Sequence, residues 1–472
     1  MGATLRRLGR NIRWLLLSEA VGRAIGFAYT ALLARLLGLE GFGTLTLVLV
    51  YSEMFGLLVG FSFHEILIRD VARRQARLGP LLATMICLEA MLLIPALGLS
   101  ALLGLAYGGI LLKLLPLGVL YGGVRAIAQT FLAVPAAHED FRPASVYKVL
   151  DRLAALAALL VLIAAGGSLV ALFLALLAGA CLTLSYPIRM AGRFGAFHGR
   201  QFLSLAEWKG LIREGASYSA LRWITVVYNR VDMILLDRFL GAEAVGLYGA
   251  AYRLMEVFKL IPNMAERTLL PIVSRSTLDA VDLRRVLEGS LKALAAAAIP
   301  LALGAWALAP QGMRIVYGSE YGGAATAWAI LMAGLVIICL SRPFLTLLRA
   351  EGRMRQASLL ALTGVGVNVG LNIVFIPRWG ILAAAFATGA AEIIFLASLW
   401  MACSKSVGRR ALRGFLALAP AACGMALTVL LLGGRWPWIA GVGGVALYVA
   451  ILFWGRGLDA EERRGLKELV RG

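Results

Sequence analysis

The sequence predicts an all-α polytopic membrane protein with about fourteen transmembrane helices, two parallel six-helix repeats followed by two further helices. Three observations carry this. The 472 residues are 61% hydrophobic and the mean hydropathy is +0.84. A soluble chain of this length needs far more polar surface to cover its core. Apolar stretches of about 20 residues, each long enough to cross the hydrocarbon, recur from end to end. Basic residues punctuate these stretches, and their density alternates from loop to loop.

In order, the spans read as roughly 12–37, 42–67, 80–106, 112–136, 144–166, 168–190, 213–240, 245–271, 286–309, 323–348, 356–376, 380–402, 412–432 and 437–455. No polar segment is much longer than about 20 residues, too short for an independent core. Arg6, Arg7, Arg10 and Arg13 precede the first apolar run, but no small-residue cleavage site follows it, so the first span is expected to direct insertion. Two breaks, Gly38 to Gly41 and Gly166-Gly167-Ser168, are short enough to pass for kinks. Pro95, Pro116, Pro187, Pro262, Pro300 and Pro343 lie in or at the edges of helices, as hinges or as packing kinks.

The loops fix the expected topology. Alternate loops carry Arg69, Arg73, Arg74 and Arg77; Arg142; Arg189, Arg193, Arg200 and Lys209; Arg275, Arg284 and Arg285; Arg349, Arg353 and Arg355; and Lys405, Arg409, Arg410 and Arg413. The tail adds Arg456, Arg463, Arg464, Lys467 and Arg471. The intervening loops are nearly bare, with Lys113, Arg314, Arg378 and Arg435 as their main basic residues. The alternation places both termini in the cytoplasm and the chain in the inner (cytoplasmic) membrane. It also accounts for the net charge of +20 without nucleic acid, because the charges form no single patch.

Shifting the chain by 203 positions lays Leu32-Leu33-Ala34-Arg35-Leu36-Leu37-Gly38-Leu39-Glu40-Gly41 on Leu235-Leu236-Asp237-Arg238-Phe239-Leu240-Gly241-Ala242-Glu243-Ala244, and Glu53 on Glu256. The shared Arg, Glu and Gly are costly coincidences in a membrane protein, unlike the shared leucines. An even number of spans separates the copies, so the repeats are parallel, and a site is expected between them. The expected division is a first six-helix bundle at 1–195, a second at 196–405, and two additional helices with a tail at 406–472.

At these residues the chain resembles a known family. Asn229-Arg230-Val231-Asp232-Met233-Ile234, followed by Val245-Gly246-Leu247-Tyr248-Gly249-Ala250-Ala251-Tyr252-Arg253-Leu254, resembles the seventh and eighth spans of polysaccharide flippases. These form the polysaccharide-transporter (Wzx-like) branch of the multidrug/oligosaccharidyl-lipid/polysaccharide (MOP) superfamily. Tyr317-Gly318-Ser319-Glu320-Tyr321, Val367-Asn368-Val369-Gly370-Leu371-Asn372 and Ile376-Pro377-Arg378-Trp379-Gly380-Ile381 match its second half in order and spacing. The likeness runs from about residue 10 to 400. It implies a V-shaped, two-bundle transporter that alternates between inward-open and outward-open states. Its cargo would be a polyprenyl-pyrophosphate-linked glycan.

Charges inside spans mark the candidate site, because a charge near the bilayer centre normally faces a cavity or a partner. The first span holds Glu19 and Arg23, the fourth Arg125, the seventh Arg222, Arg230 and Asp232, and the eighth Arg253, Glu256 and Lys259. Arg23, Arg222, Arg230, Arg253 and Arg125 are the expected pyrophosphate ligands, since guanidinium binds phosphate oxygens in bidentate fashion. Glu19, Glu53, Asp232 and Glu256 are candidates for coupling to Na⁺ or H⁺. The opposing reading is that Glu19 with Arg23, and Arg253 with Glu256, are neutralised pairs holding helices together. Arg35 and Arg238 read as snorkelling or capping residues, and Arg342 and Lys113 as topology or kink residues. Asn368 and Asn372 read as interhelical hydrogen-bonding residues.

The sequence offers no catalytic constellation. His64, His138 and His198 are scattered, and no glycine loop ends in Lys-Ser or Lys-Thr. Cys87, Cys181, Cys339, Cys403 and Cys423 suit neither zinc nor a disulfide framework and read as packing residues. No cofactor or metal is expected, and the chain is not expected to be an enzyme. The leading function is a lipid-linked glycan flippase, with membrane lipids and the glycan polymerase or glycosyltransferase machinery as partners. The alternatives are a drug or metabolite exporter of the same superfamily, and a membrane glycan polymerase or ligase, which would need larger outer loops.

Overall fold

A computed structural model describes residues 2–73, 77–197, 204–274, 280–404 and 417–454. Arg74, His198, Arg200, Arg275, Lys405, Arg409, Arg410, Arg413 and the basic tail lie outside the described residues, as does the side chain of Glu19. Among the described residues all regular structure is helical, and seven helices are long and apolar enough to cross a membrane. The chain divides into two compact units, residues 1–234 and 235–472.

The first unit holds α1 (Gly2–Gly60), α2 (Phe63–Ala72), α3 (Leu78–Tyr107), α4 (Leu111–Ala137), α5 (Arg142–Ala164), α6 (Leu169–Gly192) and most of α7 (Leu205–Leu240). The first two expected spans form the continuous run α1, which is broken at Gly38. There φ is 66°, a left-handed value that a β-carbon would oppose. The repeat mate Gly241, between α7 and α8 (Ala242–Phe258), has φ 83°, and ψ lies near 180° at both glycines. The repeat visible in the letters is therefore a repeat in backbone conformation.

Small residues set the α1–α4 contact. A β-carbon on Gly118 would lie 2.6 Å from Val48, and one on Gly122 would lie 2.5 Å from the carbonyl oxygen of Ser52. Ser52 Oγ in turn donates to the Gly118 carbonyl at 2.6 Å. The four-residue spacing of Gly118 and Gly122 puts both on one face, the small-residue pattern that lets membrane helices approach closely. Below this seam, Phe63, Ile66, Leu67, Met85, Phe131 and Val134 form an apolar core joining α2, α3 and α4.

The second unit begins with the end of α7 and α8, then α9 (Leu260–Val273), α10 (Ala280–Tyr317), a short 3₁₀ turn (Ser319–Ala324), α11 (Ala325–Ala350) and α12 (Met354–Cys403). It ends with α13 (Ala419–Leu432) and α14 (Pro437–Trp454). α12 contains the expected eleventh and twelfth spans, parted at Gly380 with φ 57°. α13 and α14 pair with each other and pack on α10 through Met425, Tyr448 and Ala307.

Two expected spans are not single rods. The second breaks at Phe61 and Ser62, whose φ values of 43° and 56° are left-handed without being glycine. The eighth breaks at Lys259, between α8 and α9. The seventh starts at Leu205, several residues before its apolar run, because Ser204 and Glu207 cap it reciprocally. The Ser204 amide donates to Glu207 Oε2 at 2.7 Å and its hydroxyl to the same oxygen at 2.6 Å.

Candidate functional site

Within the first unit, α7 runs antiparallel along α1 and α2 and meets them through a ladder of polar contacts. Arg230 Nε donates to Glu53 Oε2 at 2.9 Å. Arg222 Nη1 lies 3.3 Å from Glu65 Oε1 and 3.1 Å from His64 Nε2. Arg69 forms a two-pronged pair with Glu214 and also reaches Asp70 at 2.7 Å. Between these rungs the hydroxyls of Ser219 and Ser62 meet at 3.3 Å. Next to them, Gly215 gives room to the ring of Phe61, which a β-carbon would approach to 2.6 Å. The Phe61–Ser62 break thus lies against α7 at Gly215 and Ser219.

This ladder gathers three of the residues singled out in the sequence, Arg222, Arg230 and Glu53. It pairs them with two that were not, Glu65 and His64. Each arginine faces a carboxylate, which gives a guanidinium in a membrane the partner it requires. Arg230 is only 9% exposed, and Asp232 beside it is buried, its Oδ1 accepting from the Met233 amide at 2.8 Å. Arg23 is half-buried on α1.

A second cluster lies on α4 and α5. Arg125 Nη2 donates to Asp151 Oδ2 at 3.1 Å, and its guanidinium stands 5.4 Å over the ring of Tyr121. Tyr29, Tyr147 and Arg152 complete it through electrostatic contacts with these groups. Glu89 of α3, fully buried, accepts from Thr130 of α4 at 2.5 Å. Of this region Arg125 alone stands out in the sequence. The others sit singly in apolar runs, and only the fold brings them together.

In the second unit Arg253 Nη1 lies 3.1 Å from Glu256 Oε2, the neutralised pair that helical spacing allows. Lys259 donates to Tyr252 Oη at 3.0 Å and stands 4.7 Å over its ring. Asn372 donates to Asn368, and Asn368 to Thr388, which also meets Tyr248. The asparagines therefore hold the two arms of α12 together with α8. Arg342, expected as a topology or kink residue, pairs at 3.1 Å with Glu266, which Arg349 also contacts. Among the described residues no group of His, Cys, Asp and Glu could hold a metal, and the five cysteines are free. Cys339 and Cys403 are buried in packing, whereas Cys181 and Cys423 are exposed on their helices.

Helical units of this build define a multi-pass membrane protein. The chain belongs to the family described as "Polysaccharide biosynthesis protein", whose model matches residues 8–277. It is 26% identical over 166 residues to the probable flippase AglR of Haloferax volcanii, covering 34% of this chain and 35% of that protein. It is 24% identical over 354 residues to the succinoglycan biosynthesis transport protein ExoT of Rhizobium meliloti, covering 71% of this chain and 66% of that one. The chain thus spans about a third of the length of the first curated relatives it matches. Its fold matches that of the lipid II flippase MurJ in an inward closed conformation, with TM-score 0.77 and 14% identity over 94% of this chain and 99% of that one. The MOP-type fold expected from the sequence is the fold observed.

Proposed function

We propose that this chain is a flippase that carries a polyprenyl-pyrophosphate-linked oligosaccharide from the cytoplasmic to the outer leaflet by alternating access, for the biosynthesis of a cell-surface polysaccharide. The observation that carries the reading is the ladder on α7, where Arg222 and Arg230 are held by Glu65 and Glu53. A carboxylate and a pyrophosphate offer a guanidinium the same kind of charge-assisted hydrogen bond. An arginine can therefore pass from one to the other without ever standing bare in a low dielectric, where it would cost several kcal/mol. Arg23, Arg253 and Arg125 are proposed as further ligands. Glu19, Glu53, Asp232 and Glu256 are the proposed coupling groups, using Na⁺ or H⁺ because no nucleotide-binding loop is present in the sequence.

The same reading gives fourteen spans and halves at 1–195 and 196–405, with 406–472 as an addition. Both termini lie on the cytoplasmic side of the inner membrane. The chain does no covalent chemistry, and it works beside glycosyltransferases and a polymerase that make and consume its cargo. The family membership and the names of the relatives support it. The test is complementation of a flippase-null strain with Arg23→Ala, Arg222→Ala, Arg230→Ala and Arg253→Ala, each checked for membrane expression. Loss of surface glycan in the α7 variants is expected, with Lys a poor substitute where bidentate geometry matters. Normal export by all four variants would overturn the cationic site.

A further inference from the structure

We infer that the first unit contains a binding site, distinct from the α7 ladder, for a sugar ring carrying one negative charge, and that Arg125 serves this ring instead of the pyrophosphate. It is built from Tyr29 on α1, Tyr121 and Arg125 on α4, and Tyr147, Asp151 and Arg152 on α5. The inference rests on the flippase reading for its choice of a carbohydrate and on the cluster itself for everything else.

Depth comes first. Arg125 lies fourteen residues after the start of α4 and twelve before its end. Arg152 lies ten after the start of α5 and twelve before its end. At about 1.5 Å per residue both are some 15–20 Å from either end of their helices, near the bilayer centre whichever way the chain is inserted. Neither can reach a lipid headgroup by snorkelling.

Charge comes next. Two guanidinium groups share one carboxylate. Asp151 bonds Arg125 at 3.1 Å, while Arg152 has no hydrogen bond or ion pair among the described residues. A purely structural cluster at this depth would be neutral, because a lone charge in the membrane centre is expensive. The remaining positive charge therefore calls for an anion. An unused donor points the same way: Arg125 Nε is buried without a hydrogen-bond partner among the described residues.

Space and shape select the kind of anion. Arg125 keeps 40% of its side-chain surface accessible although α4 is packed by α1, α2, α3, α5 and α6. The Arg152 guanidinium stands over Gly26, where a β-carbon would come to 3.5 Å from its Cζ. Three tyrosines are more wall than a small inorganic anion needs. Their flat faces suit a pyranose ring and their hydroxyls suit its hydroxyls, with the Asp151 carboxylate as an acceptor. The net positive charge disfavours a cation. Either a glycosyl phosphate or a uronic acid offers the required chemistry.

The experiment is saturation-transfer NMR on the full chain in nanodiscs, with glucose 1-phosphate, glucuronate and glucose as probes. At least one charged sugar is expected to bind at least about tenfold more tightly than glucose. Glucose 1-phosphate alone would assign the site to the lipid-proximal sugar, glucuronate alone to an acidic residue of the repeat unit, and binding of both to either. Arg152→Gln and Gly26→Leu should each weaken that binding at least about tenfold while leaving the thermal unfolding temperature within a few degrees of the parent. Arg152→Lys should restore part of it. Absence of binding by both charged sugars, no preference over glucose, or binding untouched by Arg152→Gln would overturn the site. The assay involves no transport, so such a result would leave the flippase reading standing. Normal surface glycan in all four alanine variants of the complementation test would overturn the cationic site of the α7 ladder without touching this one.

Discussion

Glu53 and Arg230 show what a single pair does here. The arginine is nearly buried and the carboxylate is 47% exposed, so the pair stands at the boundary of the bundle. With the carboxylate half exposed, the pair's direct contribution to stability is about 1 kcal/mol at most. On the proposed function its greater effect is occupancy, since Glu53 would fill the place of a phosphate oxygen. Glu53→Gln should therefore strengthen binding of a polyprenyl-pyrophosphate analogue, by up to about tenfold if the released pair contributes about 1.4 kcal/mol. Equilibrium binding to the purified protein checks this, and weaker binding by the Gln variant would show Glu53 to be a ligand or a support instead of a competitor. The charges of this ladder were legible in the sequence, because an arginine in an apolar run stands out. Glu65 and His64 were not. They sit where the second span stops being apolar, and nothing local says that α7 lies against them.

At the scale of elements, two contacts decide how helices sit. The α1–α4 seam depends on Gly122, whose missing side chain admits the carbonyl of Ser52. A methyl group there meets backbone, which cannot swing aside, so Gly122→Ala should destabilise the first unit by about 1–3 kcal/mol. Gly98→Ala on α3, with nothing within 4 Å, serves as the matched control and should not destabilise. Thermal unfolding in one detergent compares them, and equal melting would mean that the seam is loose. The second contact is the cap of α7. Hydrogen bonds from the Ser204 hydroxyl and amide hold the Glu207 carboxyl below the usual carboxylate range. A group with a depressed pKa adds its stabilisation above its unfolded value and loses it as pH falls through the folded one. Amide protection factors in the first turn of α7 should thus be high at neutral pH and fall at acid pH, and Ser204→Ala should lower them roughly fivefold at neutral pH. This cap could be read from Ser-x-x-Glu. The break at Phe61 and Ser62 could not, because it carries no proline and arises where α7 presses on it.

Across the whole molecule, loop charge alternates and the expected outer turns share one backbone chemistry. The turns expected on the outer side in the first twelve segments each contain a glycine with positive φ, at Gly38, Gly108, Gly166, Gly241, Gly318 and Gly380. The opposite loops carry Arg73, Arg77, Arg142, Arg193 and Arg353, and two of them hold a glycine with positive φ as well, Gly195 and Gly352. The fold class was legible because hydropathy and loop charge are properties of composition. The helix partners and the sugar-sized cluster around Arg152 were not, since they depend on which faces meet. If the two patterns share one cause, labelling should follow both. In intact cells an impermeant maleimide should modify Lys113→Cys, Ser168→Cys and Arg435→Cys but not Arg142→Cys or Arg353→Cys, and permeabilisation should expose the latter two. The parent chain sets the background, because its exposed cysteines, Cys181 and Cys423, lie within apolar helices where the reactive thiolate is disfavoured. Labelling of Arg142→Cys from outside would be the decisive contrary result. That loop carries one arginine against Glu139 and Asp140, so there the charge argument is weakest and an inserted or missing span would first show.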